Sequence, residues 1–323
     1  MPQRLLLLLP LLALGFLAEA QQLSRYSMPW LDPVQFNPAY AGLDNSLSVT
    51  GAYRTQWTGL PGQPEGQRFS AHLPIYYLSS GFGIEVERDV LGARNLSRFG
   101  ASYNYQLVRG AAVWSLGVSA RFQQLTLDGG ALRTPDGVYE DPNTIIHNDN
   151  LLPTGSVNNS ALGVSAGIYY QAENLEGGLS ARNLNAPVIA FPGFDYSIGR
   201  QYHAYLKLRL DVLSNWEVMP MLYGISDGTQ TQISLGANFR YDENMFLGAA
   251  YRGHSNTTND AVVIMGGLNL NDNITLAYAY DLTLSELNSV ENGSHEFTVK
   301  YNLRKRIGAG VPPPIIFHPR TKE

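Results

Sequence analysis

Short segments that alternate apolar and polar residues recur along most of this chain. In residues 232–240 every odd position is apolar, whereas the even positions carry Gln, Ser, Gly, Asn and Arg. Residues 114–122 and 296–303 follow the same rhythm. Side chains of a strand point to opposite faces in turn, whereas an amphipathic helix repeats every three or four residues. The pattern therefore predicts strands with one apolar and one polar face.

The connections between these strands are short after even-numbered strands and longer after odd-numbered ones. The short connections carry Gly, Asn and Asp, as hairpin turns do, and the longest connection spans about 123–159. This alternation is typical of an all-β, transmembrane antiparallel β-barrel with short periplasmic turns and long extracellular loops. About 14 strands are predicted, at residues 47–53, 68–76, 81–87, 98–107, 112–122, 160–170, 175–182, 201–210, 216–223, 230–240, 245–251, 261–270, 274–282 and 294–303.

The composition favours a barrel in the bacterial outer membrane over other classes of protein. After residue 20 the chain has no apolar run near the roughly 20 residues that a spanning helix needs. A net charge of −5 argues against nucleic acid as a partner, and the absence of cysteine excludes disulfides and thiolate metal sites. Outer-membrane lipid is the expected surrounding, and a soluble β-propeller or β-sandwich is the alternative. Aromatic residues near the strand ends suit interfacial girdles, namely Tyr105, Trp114, Phe122, Tyr170, Tyr202 and Tyr223.

The start of the chain has the features of an export signal. Arg4 precedes an apolar stretch at 5–17, and Ala18-Glu19-Ala20 is a small-x-small cleavage site. Residues 1–20 are therefore predicted to be a signal peptide.

The remaining chain divides into three predicted parts. These are a periplasmic N-terminal segment or plug at 21–46, the outer-membrane barrel at 47–303, and a periplasmic C-terminal tail at 304–323. Proline fixes the backbone φ angle and disfavours a helix. Pro29, Pro33 and Pro38 therefore predict that the stretch before the first strand is extended and irregular.

Three sequence elements carry a family resemblance. The first is the stretch 26–42, which ends in Asn37-Pro38-Ala39-Tyr40-Ala41-Gly42, and the second is 53–59, which contains Arg54-Thr55-Gln56-Trp57-Thr58-Gly59. The third is 278–287, which contains Asp281, together with Gly293-Ser294-His295-Glu296. In this order they resemble the PorP/SprF family of Bacteroidota outer-membrane proteins, over nearly the whole chain after the signal peptide. The resemblance implies a non-enzymatic barrel of the type IX secretion and gliding machinery. Such a barrel is expected to receive or anchor secreted cargo with a type B C-terminal sorting domain, together with a periplasmic peptidoglycan-binding component.

The residues of the first element are candidates for partner binding or for structural packing at the rim. Asn37 and Gly42 suit turn geometry, and Pro38 and Ala39 lie between them. Tyr40 offers a ring to pack and a hydroxyl to satisfy. The segment that carries them is expected either to fold into the lumen as a plug or to line the periplasmic rim.

The residues of the other two elements are expected near the outer end of the barrel. Arg54 precedes Gln56 and Trp57, and its guanidinium can pair with an inward carboxylate or grip a cargo carboxylate. Across the last hairpin a polar cluster is expected, made of Asp281, His295 and Glu296, and Ser294 is a further candidate for partner binding or for the rim.

Catalytic and metal-binding functions have little support in the sequence. His72, His203 and His295 lack a nucleophile and an orienting acid in any arrangement that local sequence establishes. The amide- and acid-rich run at 141–150 lacks the spacing of a calcium loop. No catalytic residue, metal or cofactor is predicted. The alternative function is an outer-membrane porin or substrate-specific channel, whose lumen would favour anions through His203, Lys207, Arg209, Arg240 and Lys300.

Overall fold

The structure, a computed structural model, describes residues 25–139, 145–254, 259–308 and 310. The predicted signal peptide and most of the predicted C-terminal tail lie outside this range. Within the described residues no helix is long and apolar enough to cross a membrane.

Strands account for most of the described chain. Their bounds are β1 (Ser48–Thr55), β2 (Glu65–Ile75), β3 (Ser80–Leu91), β4 (Arg94–Arg109), β5 (Ala112–Asp128), β6 (Ser156–Ala172), β7 (Leu175–Arg182), β8 (Val188–Phe191), β9 (Phe194–Ser197), β10 (Gln201–Leu208), β11 (Leu210–Leu213), β12 (Trp216–Ser226), β13 (Thr231–Tyr241), β14 (Met245–His254), β15 (Asn259–Asn269), β16 (Ile274–Thr283) and β17 (Ser294–Asn302).

The strands close into an antiparallel barrel. β1 pairs with β17, with Arg54 opposite Glu296, and on the far side β10 and β11 both pair with β12. β10 and β11 form one interrupted wall strand, and β8 with β9 forms a separate hairpin, so the wall has 14 strands. Closure gives every wall strand two neighbours, which leaves no bare edge in lipid. The predicted barrel is confirmed.

The two faces of the wall differ as the alternation requires. In β5, Leu116 is 60% exposed on the outer face, whereas its neighbour Ser115 is fully buried on the inner face. The predicted girdle residues Tyr105, Trp114 and Tyr202 are exposed on the outer face. Tyr223 was assigned wrongly, because it packs inside against Phe36 and His203. It follows Leu222, which takes the outward position at this point of β12.

The rims are less uniform than the sequence predicts. One rim, here called the short-turn rim, carries connections such as 110–111 and 173–174. The opposite long-loop rim carries 129–155, 183–200 and 284–293, but the connection from β3 to β4 is only 92–93. The expected long connection there was wrong because both strands run several residues past their predicted ends.

The β8–β9 hairpin folds over the inner face of the wall at the long-loop rim. Ile189 and Phe191 pack against Leu96 of β4 and Leu125 of β5, which share the inward face of those strands. Arg94 Nη1 also donates to the Tyr196 hydroxyl at 3.1 Å. The hairpin therefore covers part of the lumen from the long-loop side.

Candidate functional site

Residues 25–46, here called the inner segment, lie inside the barrel before β1 begins. Three single 3-10 turns shape the segment, at Pro29–Leu31, Pro33–Gln35 and Pro38–Tyr40. The predicted extended conformation was therefore wrong for these stretches. Proline is well tolerated as the first residue of a helical turn, where its missing N–H would have no partner in the turn.

The family element at 37–42 lies against the inner face of the wall, and Asn37 anchors it. Asn37 is fully buried, and its Nδ2 donates to the carbonyls of Ile168 at 3.0 Å and Leu179 at 3.3 Å. Its Oδ1 accepts from the Ala39 N–H at 3.0 Å, which caps the third turn. Asn37 thus joins β6, β7 and the inner segment.

Close backbone approach holds the next residues of the segment. A Cβ at Gly117 of β5 would lie 2.3 Å from the Ala39 nitrogen, so this wall position accommodates the segment only as glycine. Asn104 Nδ2 donates to the carbonyls of Ala39 at 3.0 Å and Ala41 at 2.6 Å. Gly42 has φ of +78° and its N–H donates to His72 Nδ1 at 3.0 Å.

Asp44 adds a charged contact between this part of the inner segment and the wall. Its carboxylate accepts from the hydroxyls of Tyr40 and Ser48, each at 2.6 Å, and pairs with Lys300 Nζ at 2.7 Å. Burial alone would raise the pKa of this carboxyl, but Lys300 and His72 outweigh burial and hold its pKa well below the usual range. We call residues 37–46 and the wall residues that they contact the seat.

A buried ionic cluster holds the other end of the inner segment. Arg54 Nη2 pairs with Asp281 at 2.7 Å, and its Nη1 donates to the Ser27 hydroxyl at 2.7 Å and lies 3.6 Å from Glu296. The Ser27 hydroxyl donates to Asp281 at 2.7 Å, and the Ser27 N–H donates to Glu296. Arg252 also pairs with Asp281. Arg54 therefore makes the internal ion pair, and its guanidinium is buried.

Further along the segment, Asp32 lies under a second cationic wall residue. Arg68 Nη2 lies 3.1 Å from the Asp32 carboxylate, which also accepts from the Ser70 hydroxyl at 2.7 Å. Arg98 pairs with Glu87 at 3.1 Å on the neighbouring wall. We call residues 25–36, together with the charged wall residues of both clusters, the ionic half. These wall residues are Arg54, Arg68, Glu87, Arg98, Arg252, Asp281 and Glu296.

The structure separates the predicted outer cluster into the two faces of the wall formed by β16 and β17. Asp281, Ser294 and Glu296 are buried inside, but His295 lies on the outer face, where its Nδ1 contacts the Tyr278 hydroxyl at 2.7 Å. His295 was therefore placed wrongly, because neighbouring residues of a strand cannot share a face. Gln56 and Trp57 follow β1, and the Trp57 N–H donates to the Ser294 hydroxyl at 3.1 Å.

Three of the cations in the predicted anion-selective set have carboxylate partners. Lys207 pairs with Glu176, Arg240 Nε lies 2.9 Å from Glu217, and Lys300 pairs with Asp44.

In the described part of the chain, no group of His, Asp and Glu side chains is placed to hold a metal ion. Asp141 and Asn143 of the run weighed as a calcium ligand set lie outside the described residues.

A comparison of the sequence with protein families decides the identity of the barrel. The model of the family described as "Type IX secretion system membrane protein PorP/SprF" matches residues 18–301. The chain belongs to the PorP/SprF family. No curated protein gives a significant match.

Solved structures similar in fold to this PorP/SprF barrel include a channel and an outer membrane protein. The CymD monoaromatic hydrocarbon channel has a TM-score of 0.50 at 12% identity, over 88% of this chain and 95% of that one. A Pseudomonas aeruginosa FadL homologue has 0.47 at 10%, over 83% and 93%. The Acinetobacter baumannii outer membrane protein Omp33 has 0.45 at 8%, over 80% and 98%. Family and fold place the protein in the outer membrane as a type IX secretion component.

Sequence reasoning missed several residues that build the site in this PorP/SprF chain. Asp44 and Asn104 contact the segment or belong to it, but they lie outside the stretches that carry the resemblance. Ser27 and Asp32 lie within the first of these stretches, but no contact was predicted for them. A signal was present for Asn104, because it occupies an inward position of β4 beside the outward Tyr103 and Tyr105.

Proposed function

We propose that this chain is a non-enzymatic barrel that receives or anchors secreted surface proteins with a type B C-terminal sorting domain, as part of the type IX secretion and gliding machinery. Family membership supports the secretion system. The filled lumen supports a platform rather than an open pore. The inner segment forms hydrogen bonds with β1, β2, β4, β6, β7, β16 and β17. It also packs against β5, β10, β12, β14 and β15, so it contacts nearly the whole circumference of the wall.

The alternative function, a porin or substrate-specific channel, requires the inner segment to leave the lumen. Conductance across a planar bilayer separates the two functions. We expect the purified barrel to give no stable current at moderate voltage, because the inner segment and the paired wall cations block the passage. A large and stable current from the unmodified protein would favour the channel.

Cargo capture tests the platform directly. Purified barrel in detergent is mixed with a secreted domain that carries a type B sorting domain, and with the same domain after removal of its sorting domain. We expect copurification only with the intact domain. In cells, deletion of the barrel should release the cargo from the surface into the medium, and an unchanged amount on the surface would contradict the proposal.

The short-turn rim is proposed to meet the periplasmic peptidoglycan-binding component. The first tail residues are held at this rim, since the Ser46 hydroxyl donates to the Lys305 carbonyl at 2.8 Å and accepts from the Lys305 N–H at 3.1 Å. A pull-down from the periplasm with and without residues 306–323 tests whether the tail contributes. Loss of the component with the tail removed and the barrel folded is the expected result.

The family element at 37–42 is proposed to act by holding the inner segment rather than by touching a partner itself. Asn37, Ala39 and Tyr40 are buried, which supports this role. The element is expected to affect cargo or partner capture only through the position of the segment. Asn37→Ala and Tyr40→Ala variants that lose partner capture while the segment stays in place would contradict this role.

A further inference from the structure

A cavity of about 40 Å³ separates the inner segment from the wall in the ionic half. Arg25 of the segment lines one side, and the wall side includes Arg68, Glu87, Arg98, Arg182 and His203. One buried water needs roughly 10–15 Å³ by this measure, so the cavity holds several waters or one small ion.

The charges around this cavity are unbalanced. Four guanidinium groups line it, those of Arg25, Arg68, Arg98 and Arg182, whereas Glu87 is the single lining carboxylate. Arg98 pairs with Glu87, and Arg68 pairs with Asp32 of the segment. Among the described residues, Arg25 and Arg182 form no ion pair within 4.0 Å. Two guanidinium groups at the cavity therefore have no carboxylate in direct contact.

Unpartnered donor atoms are buried beside the same cavity. The Nε atoms of Arg25, Arg98 and Arg182 are buried without a hydrogen-bond partner, and Arg98 as a whole is 2% exposed. His203 is 4% exposed and its Nε2 has no partner, while its Nδ1 contacts the Tyr223 hydroxyl at 2.9 Å. When Tyr223 donates to Nδ1, the His203 Nε2 carries the proton and becomes a donor. A buried donor without an acceptor is costly.

We propose that this cavity binds a small tetrahedral oxyanion of the phosphate or sulfate class, which bridges the inner segment to the barrel wall. Guanidinium groups bind oxyanions through pairs of charge-assisted hydrogen bonds, and the imidazole N–H adds a further donor. Arg25 belongs to the segment, whereas Arg182 and His203 belong to β7 and β10. The anion therefore accepts hydrogen bonds from both sides of the cavity and holds the segment in its position.

Isothermal titration of the detergent-purified barrel tests the proposal. Sodium phosphate and sodium sulfate are compared with sodium chloride at matched ionic strength, and we expect saturable binding of the two oxyanions. Glucose 1-phosphate distinguishes a free ion from a phosphate carried by a larger molecule: binding of both probes extends the site to phosphate esters, and binding of phosphate alone restricts it to the free ion. No saturable binding beyond chloride, the result for a water-filled cavity, would overturn the proposal.

Two variants assign the binding to this cavity. Arg182→Gln should weaken phosphate binding about tenfold or more, since a hydrogen bond to a charged group contributes roughly 1.5–3 kcal/mol. His203→Phe should weaken it by a smaller factor, and it serves as the second variant if Arg182→Gln does not fold. The matched control is Arg200→Gln, because Arg200 is exposed on the same rim and donates to the Leu184 carbonyl outside the cavity. Equal binding by Arg182→Gln and Arg200→Gln in folded barrels would place the anion elsewhere.

The bridging role has a readout of its own. The chain has no cysteine, so Val34→Cys introduces a single thiol at a side chain that is 7% exposed in the inner segment. We expect saturating phosphate to slow maleimide labelling of this thiol several-fold, and to have no such effect when Arg182→Gln is also present. Labelling that is unchanged by bound phosphate would show that the anion does not bridge the segment to the wall.

Discussion

The seat and the ionic half hold the same segment by different means. In the seat, uncharged hydrogen bonds and close backbone packing make the contacts. Asn37 donates to carbonyls of β6 and β7, and the Ala39 backbone packs against Gly117. In the ionic half, guanidinium and carboxylate groups carry the contacts, as with Arg54 and Asp281. Desolvation offsets most of the attraction in a buried ion pair. The comparison therefore suggests that the seat supplies rigid fit, whereas the ionic half sets position and can exchange partners with ions and water.

The largest effect is expected from filling the seat. Gly117→Val places side-chain atoms where the Ala39 backbone lies, so the segment should leave the lumen and the barrel should conduct. Maleimide labelling of Val34→Cys and planar-bilayer conductance measure the two results. Gly51→Val is the control, because a Cβ at Gly51 meets nothing within 4 Å. If the Gly117→Val barrel does not conduct and its thiol stays protected, the seat does not hold the segment in the lumen.

A large loss of stability is expected when the ionic cluster loses its cation. Arg54→Gln leaves Asp281 and Glu296 buried with less compensation, so the free energy of unfolding should fall by about 3–5 kcal/mol. Denaturant unfolding in detergent measures it. The exposed Arg88 provides the matched control, since Arg88→Gln should change stability by less than about 0.5 kcal/mol. Equal effects of the two variants would contradict the role of Arg54.

A smaller loss is expected at the amide anchor of the seat. Asn37→Ala removes two donated hydrogen bonds and the cap on Ala39, which should cost about 1–3 kcal/mol. Hydrogen exchange of residues 37–43 should speed up while exchange in the barrel strands stays slow. Asn158→Ala, at an exposed position of β6, should leave exchange of the segment unchanged. If both variants exchange alike, Asn37 does not anchor the segment.

The smallest effect concerns pH. The Asp44 carboxyl has a pKa below its ordinary value, because Lys300 and His72 outweigh its burial. Its contribution to stability is therefore complete above the unfolded pKa of about 3.9 and declines as the pH falls through the folded pKa. Labelling of Val34→Cys, measured with a reagent that reacts in acid, should stay constant from pH 8 to 5 and rise only below about pH 4. A rise between pH 7 and 5 would contradict this assignment.

Alternation along the chain was enough to find every wall strand, because the side-chain period of two is a local property. It also placed Glu296 on the polar face of the last strand, whereas Arg54 was left with two alternatives, an inward carboxylate or a cargo carboxylate. Their proximity follows from closure, which sets β1 against β17 with Arg54 opposite Glu296. The placement of His295 was wrong because it is the neighbour of Glu296, and neighbouring residues of a strand point to opposite faces.

Sequence reasoning left the position of the inner segment open between the lumen and the periplasmic rim, and it did not identify the contacts of the segment. Its partners lie far away in sequence, with Ser27 and Glu296 separated by 269 residues. Its prolines restrict the backbone without saying which wall it meets. The β8–β9 hairpin was missed as well, because strands of four residues at Val188–Phe191 and Phe194–Ser197 are too short to show a clear alternation.

The cluster at Arg54 also bears on how the barrel is assembled. Ser27 and Arg54 are made early in synthesis, whereas Asp281 and Glu296 belong to the last two strands. Until β16 and β17 are in place, Arg54 lacks both carboxylates, and the part of the inner segment around Ser27 is not attached to them. Completion of the wall and attachment of the segment are thus one event, so a barrel that stalls before β16 carries a loose leading end that proteases and chaperones can reach.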